Sequence, residues 1–238
     1  MKLNNFRFSR EQQHPALMTD PYGAVKGSQS SLIPALTYKK AALGNRIFIN
    51  QFLTYNNLNI RRIDTLHGQY DWFGNFTPNP LKVGESRQAS NSDIESRNFT
   101  SRTNLTFNLS PDHTLELNNV YVDATRQGAD PLGPRFSGTN TDILSVRSAY
   151  RKLVTALGLS SNFFDKKLNH VIMAKFFNYS ASGVEAYESR PIFSNEVKNT
   201  AGSSWGIADA IKYEIDPNNL VRISAEYASR LPDHNELF

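Results

Sequence analysis

The histidines and the acids Asp93 and Glu95 are the side chains of this chain that could support metal binding or acid–base catalysis. Asp93 and Glu95 lie in a stretch rich in Ser and Asn, with no neighbouring group that would perturb them. No GxSxG, phosphate-binding loop or HExxH pattern occurs. The five histidines are scattered without the spacing of metal ligands: His14, His67, His113, His170 and His234. The sequence therefore predicts no catalytic residue, no metal site and no cofactor.

Aromatic residues between the predicted strands are the remaining candidates for ligand contact. They are Tyr70, Trp72, Phe73 and Tyr187. The cluster from Tyr70 to Phe73, with Phe76 close by, is typical of a ligand platform. It is equally typical of the aromatic girdle that anchors strands at the level of lipid headgroups. We favour the girdle, or a strand extension above it.

The composition excludes several classes of protein. The chain has no cysteine, which excludes disulfides, thiolate metal sites and cysteine nucleophiles. Its net charge is +4, but the basic residues are spread along the chain among acidic ones and do not form a cluster. We therefore expect no nucleic-acid partner. No run approaches 18 apolar residues, whereas a membrane-spanning β-strand needs only about 9 to 11. A transmembrane helix is therefore not predicted.

Four tight turns divide most of the chain into β-hairpins. They lie at Gly44-Asn45, Ser110 to His113, Asp165 to Lys167 and Asp216 to Asn219. In the last hairpin we expect a five-residue reversal that pairs Tyr213 with Ile223. The same register in the second hairpin predicts that Phe107 pairs with Leu117. In both hairpins the apolar faces of the two strands then coincide.

The last hairpin has one apolar and one charged face. Ile211, Tyr213, Ile223 and Tyr227 alternate with a polar set: Lys212, Glu214, Arg222, Ser224 and Glu226. A basic residue at the middle of a bilayer costs roughly 2 to 4 kcal/mol, so the polar set cannot face lipid. Alternation alone does not decide what covers the apolar face. It could face lipid, or it could be buried in the core of a soluble β-sandwich.

Long polar segments join the hairpins at the end opposite the tight turns. We expect them at about 57–98, 125–142 and 180–203. The sequence thus predicts an all-β, antiparallel up-and-down meander of about eight strands over residues 31–238. Residues 1–30 are expected to form a loop or an incomplete strand leading into it. Short turns at one end and long loops at the other are typical of outer-membrane β-barrels.

The segment from Tyr227 to Phe238 resembles a stretch in the barrels of TonB-dependent outer-membrane receptors. In those proteins a strand runs into the pattern Arg-x-Pro-x-x-x-Glu-Leu-Phe. The matching residues here are Arg230, Pro232, Glu236, Leu237 and Phe238. A weaker resemblance to receptors of the Bacteroidetes type lies in Tyr70 to Gly74 and in Arg126 to Asp130.

The resemblance implies a function and a location. A barrel of this family has 22 strands, so the chain would be an internal segment, an open arc of a larger transmembrane barrel without its plug domain. The location implied is the outer membrane of a Gram-negative bacterium. The activity implied is active import of a scarce ligand such as a siderophore, cobalamin, a glycan or a peptide, with energy delivered by the TonB complex through the plug. The polar set would then face the lumen or plug, and the apolar residues would face lipid.

Two other functions remain open on the sequence. One is a complete eight-stranded outer-membrane barrel with a structural or adhesive role, since eight strands can close. Pro232 and the non-alternating residues 231–238 are unlike a final strand and count against it. The other is a soluble β-sandwich that binds carbohydrate through the aromatic loops. None of these three functions requires catalysis, so we do not expect the chain to be an enzyme.

Overall fold

The computed structural model describes residues 2–12, 25–64, 68–70, 73–78, 90–133, 135–136, 138–184 and 197–228. Over these residues the chain is all-β, with one short 3-10 turn at Ile143–Ser145. No helix in this part of the chain is long and apolar enough to span a membrane. The strands are β1 Lys2–Gln12, β2 Val25–Ala42, β3 Ile47–Asp64, β4 Gly68–Tyr70, β5 Phe76–Pro78, β6 Ser90–Asn108, β7 His113–Ala129, β8 Ser148–Phe163, β9 Leu168–Gly183, β10 Lys198–Asp216 and β11 Asn219–Tyr227.

Nine of these strands form one antiparallel meander. Their order is β1-β2-β3-β6-β7-β8-β9-β10-β11, and β4 and β5 form a separate small hairpin between β3 and β6. The described residues contain no ladder between β1 and β11, so the sheet is open. The predicted all-β meander is confirmed, with nine strands in place of about eight. The additional strand is β1, which lies with the start of β2 in the segment 1–30.

The strands are longer than the sequence indicated. β3 and β6 continue through polar residues to Asp64 and back from Ser90, and β10 already begins at Lys198. The predicted loops 57–98, 125–142 and 180–203 are therefore wrong in their bounds, because their outer parts belong to strands. Ladder hydrogen bonds join backbone groups and do not require apolar side chains. Pairing therefore continues where the apolar alternation ends.

All four tight turns lie at one end of the meander, as predicted. In the turn between β2 and β3, Leu43, Gly44 and Asn45 have positive φ values of 51°, 61° and 65°. The turn between β10 and β11 is held by Asp216, whose Oδ1 accepts hydrogen bonds from Asn218 N at 2.9 Å and Asn219 Nδ2 at 3.0 Å. The Asn219 side chain is the main cause that holds the pKa of Asp216 below its ordinary 3.8.

The predicted register of two hairpins is wrong by two residues. Tyr213 pairs with Val221 and Phe107 with Leu115, where we expected Ile223 and Leu117. The reversal is shorter than expected, since Asp216 pairs directly with Asn219 across Pro217 and Asn218. Side chains alternate with a period of two, so a shift of two keeps every residue on its expected face.

Candidate functional site

The sheet has two chemically different faces, which are clearest in the β10–β11 hairpin. We call the face of Ile211, Tyr213, Ile223 and Tyr227 the apolar face, and the opposite one the polar face. Ile211 lies opposite Ile223, and Ile207 lies opposite Tyr227. The five polar residues selected from the sequence share the polar face: Lys212 lies opposite Arg222, Ala210 opposite Ser224, Glu214 opposite Leu220, and Ala208 opposite Glu226.

In the β10–β11 hairpin most charges of the polar face are paired. Lys212 Nζ lies 2.6 Å from Glu214 Oε1, and Lys175 forms an ion pair with Glu226. Lys212 also lies directly opposite Arg222, an arrangement of like charges that destabilises a strand pair unless an acid offsets it. Glu214 supplies that acid. Arg222 itself makes no ion pair with any residue in the described part of the chain.

On β8, β9 and β10 the apolar face is the more exposed of the two. On β10, Trp205 is 67% and Ile207 51% exposed, whereas Gly206 between them is buried. On β8, Leu157 is 48% exposed and its neighbours Ala156 and Gly158 are buried. A sheet that packs on an apolar core has the opposite pattern. Within the described ranges the only other sheet is the β4–β5 hairpin, so no second layer of strands covers this face.

Large apolar and aromatic residues form a band on the apolar face. On four neighbouring strands the band runs from Ile47 to Tyr55, from Phe107 to Phe99, from Leu115 to Tyr121 and from Phe163 to Leu153. Three of these stretches have the roughly 9 to 11 residues with which a β-strand crosses a bilayer, and the stretch on β7 is shorter. Polar residues follow directly beyond it, among them Asn57 and Arg97.

An aromatic border limits the band at the end away from the tight turns. Its residues are Tyr55 on β3, Phe99 on β6, Tyr121 on β7, Phe176 on β9, Trp205 on β10 and Tyr227 on β11. Phe176 and Trp205 contact each other, with ring centroids 4.7 Å apart. Seven strands lie side by side in the sheet from β3 to β11. Six of them contribute an aromatic residue to the border, and β8 contributes Leu153.

The aromatic border runs diagonally across the rows of paired residues. Tyr55 and Phe99 lie in the row that reaches β10 at Ala201, whereas Tyr227 lies opposite Ile207. The border therefore moves by about one residue per strand. One residue along a strand is about 3.3 Å, and neighbouring strands are about 4.8 Å apart. A border that moves by one residue per strand therefore makes an angle of about 35° with the rows of paired residues. The strands are tilted by the same angle from the line perpendicular to the border. Strands of transmembrane β-barrels are tilted by about 35 to 45°.

A row of neutral polar side chains crosses the band on β3, β6, β7 and β8. Gln51 lies opposite Thr103, Thr103 opposite Asn119, and Asn119 opposite Thr155. Thr103 Oγ1 donates to Gln51 Oε1 at 2.5 Å, and Gln51 Nε2 donates to Ser101 Oγ at 2.9 Å. Asn119 Nδ2 donates to Thr155 Oγ1 at 2.8 Å. We call Gln51, Thr103, Asn119 and Thr155, together with Ser101 from the adjacent row, the polar row.

Two further polar contacts lie nearer the tight turns on the same face. His170 Nε2 lies 2.7 Å from Asp209 Oδ1, and both side chains are partly exposed. His113 Nδ1 lies 3.0 Å from Ser161 Oγ. In the described ranges no group of three or more His, Asp or Glu side chains is arranged to hold a metal ion.

The connection between β7 and β8 is a folded loop that sequence reasoning missed. The Asp130 carboxylate accepts hydrogen bonds from Asn91 N at 2.8 Å and Leu132 N at 3.0 Å. Arg135 donates to the Asp130 carbonyl at 2.9 Å and lies 3.5 Å from the Asp142 carboxylate. Phe136, the residue that follows Arg135 in the sequence, is almost completely buried. The sequence Asp130-Pro131 is typical of a turn, but it does not indicate the contacts of Arg135 and Phe136, which depend on tertiary structure.

The structure describes the predicted ligand aromatics only in part. Tyr70 ends β4, and Phe73 lies between β4 and β5 with 90% of its surface exposed. Trp72 and Tyr187 lie outside the described residues. So do the residues of the family pattern: Arg230, Pro232, Glu236, Leu237 and Phe238. Among the described residues, the β4–β5 hairpin forms a sheet separate from the one that contains β10 and β11.

The chain matches no family model, no curated protein and no solved structure.

Proposed function

We propose that the chain is part of the barrel wall of a TonB-dependent receptor in the outer membrane of a Gram-negative bacterium. The observation that carries the proposal is the slanted, exposed apolar band with its aromatic border. A band of bilayer thickness on tilted strands is what lipid requires of a barrel. The receptor would import a scarce ligand of the siderophore, cobalamin, glycan or peptide class.

Contact with lipid explains why large apolar side chains remain exposed. Trp205, Ile207 and Ile223 are between half and three-quarters exposed. Burying apolar surface away from water is favourable by roughly 25 cal/mol per Å². The acyl chains of a bilayer would remove this surface from water without a second protein layer. The aromatic border then lies where Tyr and Trp rings are enriched, at the headgroup level.

The polar face supports the receptor function more specifically. Arg222 lacks an acidic partner in the described part of the chain, although it shares the polar face with Lys212, Glu214 and Glu226. In a receptor this face would meet the plug domain that fills the lumen. An acidic group on the plug could then pair with Arg222. The family pattern at Arg230 to Phe238 is the further support for assigning this barrel to TonB-dependent receptors.

The alternatives have less support. A complete eight-stranded barrel needs its first and last strands to pair, but β1 and β11 form the two ends of the sheet. A soluble sandwich needs a second sheet over the apolar face, and the described residues contain only the short β4–β5 hairpin besides the meander. We therefore keep the receptor as the single proposal.

Membrane fractionation of cells that produce the full-length protein tests the location. We expect it to remain in the outer-membrane pellet after washing with urea and to need detergent for extraction. A folded, monomeric protein in detergent-free buffer would refute the proposal.

Charge reversal at Arg222 tests the role of the polar face. We expect Arg222→Glu to lower energised ligand uptake while the amount of inserted protein stays near that of the wild type. Lys39→Glu, on the polar face of β2 far from this cluster, is the control. A strong loss of insertion with normal uptake by the inserted molecules would contradict the assignment of this face to the lumen.

A further inference from the structure

A recess lies on β8, β9 and β10, on the same side of the sheet as the apolar band and just beyond its aromatic border. Its volume is about 360 Å³. The side chains that line it on this face belong to two neighbouring rows of paired residues. One row is Arg151, Ser180 and Ala201, and the other is Ala149, Ser182 and Asn199. We call this cavity the Arg151 recess.

The Arg151 recess begins at the level of lipid headgroups. Arg151 is two residues beyond Leu153, the position that β8 contributes to the aromatic border. Two residues extend about 7 Å along a strand, and the polar region on each side of a bilayer is roughly 5 to 8 Å thick. Ala201 is four residues beyond Trp205, so the recess continues outward past this region.

Arg151 has unused hydrogen-bond donors. Its Nε lies 3.2 Å from Asp123 Oδ2, and Tyr121 donates to the same oxygen at 3.2 Å. This contact uses one N–H of a group that has five. The two terminal nitrogens donate to no other residue in the described part of the chain. Asp123 thus holds the guanidinium in place and leaves its terminal fork, which can bind a phosphate through two parallel hydrogen bonds.

Arg97 is a contrasting arginine at the same level of the sheet. It is two residues beyond Phe99 on β6, as Arg151 is beyond Leu153 on β8. The two arginine side chains are similarly exposed, at 56% and 65%. Nε and Nη2 of Arg97 both donate to the Glu95 carboxylate, at 2.9 and 3.0 Å. The fork of Arg97 is therefore occupied, whereas that of Arg151 is open.

A second cation adjoins the recess. Arg147, two residues before Ala149, is exposed and makes no ion pair with any described residue. Together Arg147 and Arg151 exceed the single negative charge of Asp123. The region therefore favours an anion at headgroup level, where membranes present phosphate groups.

The outer part of the recess has the chemistry that binds sugar hydroxyls. Ser180, Ser182 and Asn199 make no side-chain hydrogen bond to another residue of the described ranges. Their hydroxyl and amide groups supply both donors and acceptors. A ligand that carries phosphate next to its acyl chains and sugar hydroxyls further out matches this order of groups.

We propose that the Arg151 recess binds the phosphorylated sugar headgroup of a glycolipid in the outer leaflet. This inference rests on the proposed function, because it assumes that the apolar band lies in a bilayer with the tight turns at the periplasmic end. The fork of Arg151 binds the phosphate. The serine hydroxyls and the Asn199 amide bind the sugar.

Native mass spectrometry of the full-length protein in neutral detergent tests the site. The probe is diphosphorylated lipid A, and phosphatidylcholine is the comparison lipid without net charge or sugar. The wild type should retain lipid A in preference to phosphatidylcholine. Arg151→Gln should weaken the binding of lipid A about fivefold, the effect of one basic residue near an anionic membrane surface. Arg97→Gln is the matched control and should bind as the wild type does.

Filling the recess separates a specific site from general attraction to a positive surface. Ala201→Leu keeps every charge but places a larger side chain in the recess, so it should also weaken lipid A binding and leave phosphatidylcholine retention unchanged. Both positions are exposed, and we expect both variants to insert normally.

Three results would overturn the site while the receptor proposal stands. They are no preference of the wild type for lipid A, equal losses for Arg151→Gln and Arg97→Gln, and unchanged binding by Ala201→Leu. Displacement of lipid A by an equal concentration of inorganic phosphate would show a site for free anions and would overturn the lipid assignment. A wild-type protein that is folded and monomeric without detergent would instead refute the receptor proposal itself.

Discussion

The two faces of the β10–β11 hairpin differ in the environment to which each is adapted. Ile211, Ile223 and Tyr227 lie on the apolar face, and Lys212 and Arg222 lie on the polar face. On β10 the apolar face is the more exposed of the two. A water-soluble sheet exposes its charged face and covers its apolar one. The comparison shows that the apolar face of β10 is more exposed than its charged face, an arrangement that our proposal attributes to contact with lipid. The expected effects of substitutions therefore depend on the face, and they test this difference.

The largest effect is expected when a charge is placed on the apolar face. Ile223→Lys should destabilise the inserted protein by roughly 2 to 4 kcal/mol, because the ammonium group would lie within lipid. Ser224→Lys is the matched control, since Ser224 is the next residue along β11 and lies on the polar face. The measurement is denaturant unfolding of the full-length protein in lipid vesicles. Equal losses for the two lysines would show that the faces do not differ in environment.

A smaller effect is expected where the polar face is crowded. A Cβ atom on Gly206 would lie 2.8 Å from the Tyr227 carbonyl oxygen and 3.3 Å from the Phe177 ring, so Gly206→Ala must displace the β10–β11 pairing. We expect a cost of about 1 to 3 kcal/mol, as for other overpacked sites. Thermal unfolding of the detergent-solubilised protein measures it.

Gly27 provides the control for this substitution. It also lies within a strand, but a Cβ atom there would have no neighbour within 4 Å. Gly27→Ala should therefore be neutral or slightly stabilising, because alanine loses less backbone entropy than glycine. If the two alanines lower the melting temperature equally, crowding on the polar face is not the cause.

The smallest effect is expected at the turn that joins the two strands. Asp216 has a pKa below 3.8 when folded, so its carboxylate stabilises the turn above that pH. This contribution disappears as the pH falls through the folded pKa. Asn219→Ala removes the main hydrogen-bond donor to the Asp216 carboxylate, so the pKa of Asp216 should move back toward its ordinary value. As the pH falls, the turn of this variant should lose its protection from hydrogen exchange at a higher pH than the turn of the wild type. Hydrogen exchange of the turn peptides, followed by mass spectrometry between pH 2 and 5, measures this onset; an unchanged onset would contradict the role of Asn219.

Most of the hairpin organisation could be predicted because its causes are local. Turn residues such as Pro217 and Gly44 mark the reversals, and the alternation around Lys212 assigns its face. The two-residue error in register did not matter for facing, since Tyr213 keeps its face whether it pairs with Ile223 or with Val221. Strand length was not predictable in the same way, because pairing of Asn57 with Arg97 depends on backbone hydrogen bonds that leave no apolar pattern.

The candidate site was predicted less completely. The polar residues of β10 and β11 were found because their strands are adjacent in sequence. The polar row was missed, since Gln51 and Thr103 are separated by 52 positions and meet only through the β3–β6 register. The folded loop around Asp130 and Phe136 was missed for the same reason. A single sequence does not contain the pairing between distant strands.

The sequence by itself determined that this protein is a meander of hairpins with one apolar and one charged face, because side-chain alternation and turn chemistry act over a few residues. Only the tertiary structure decided that the described meander is open and that its apolar face is the more exposed one on β8 to β10. It alone aligned the aromatic border diagonally across the strands. These properties depend on the register and curvature of the whole sheet, in which backbone bonds join residues far apart in the chain.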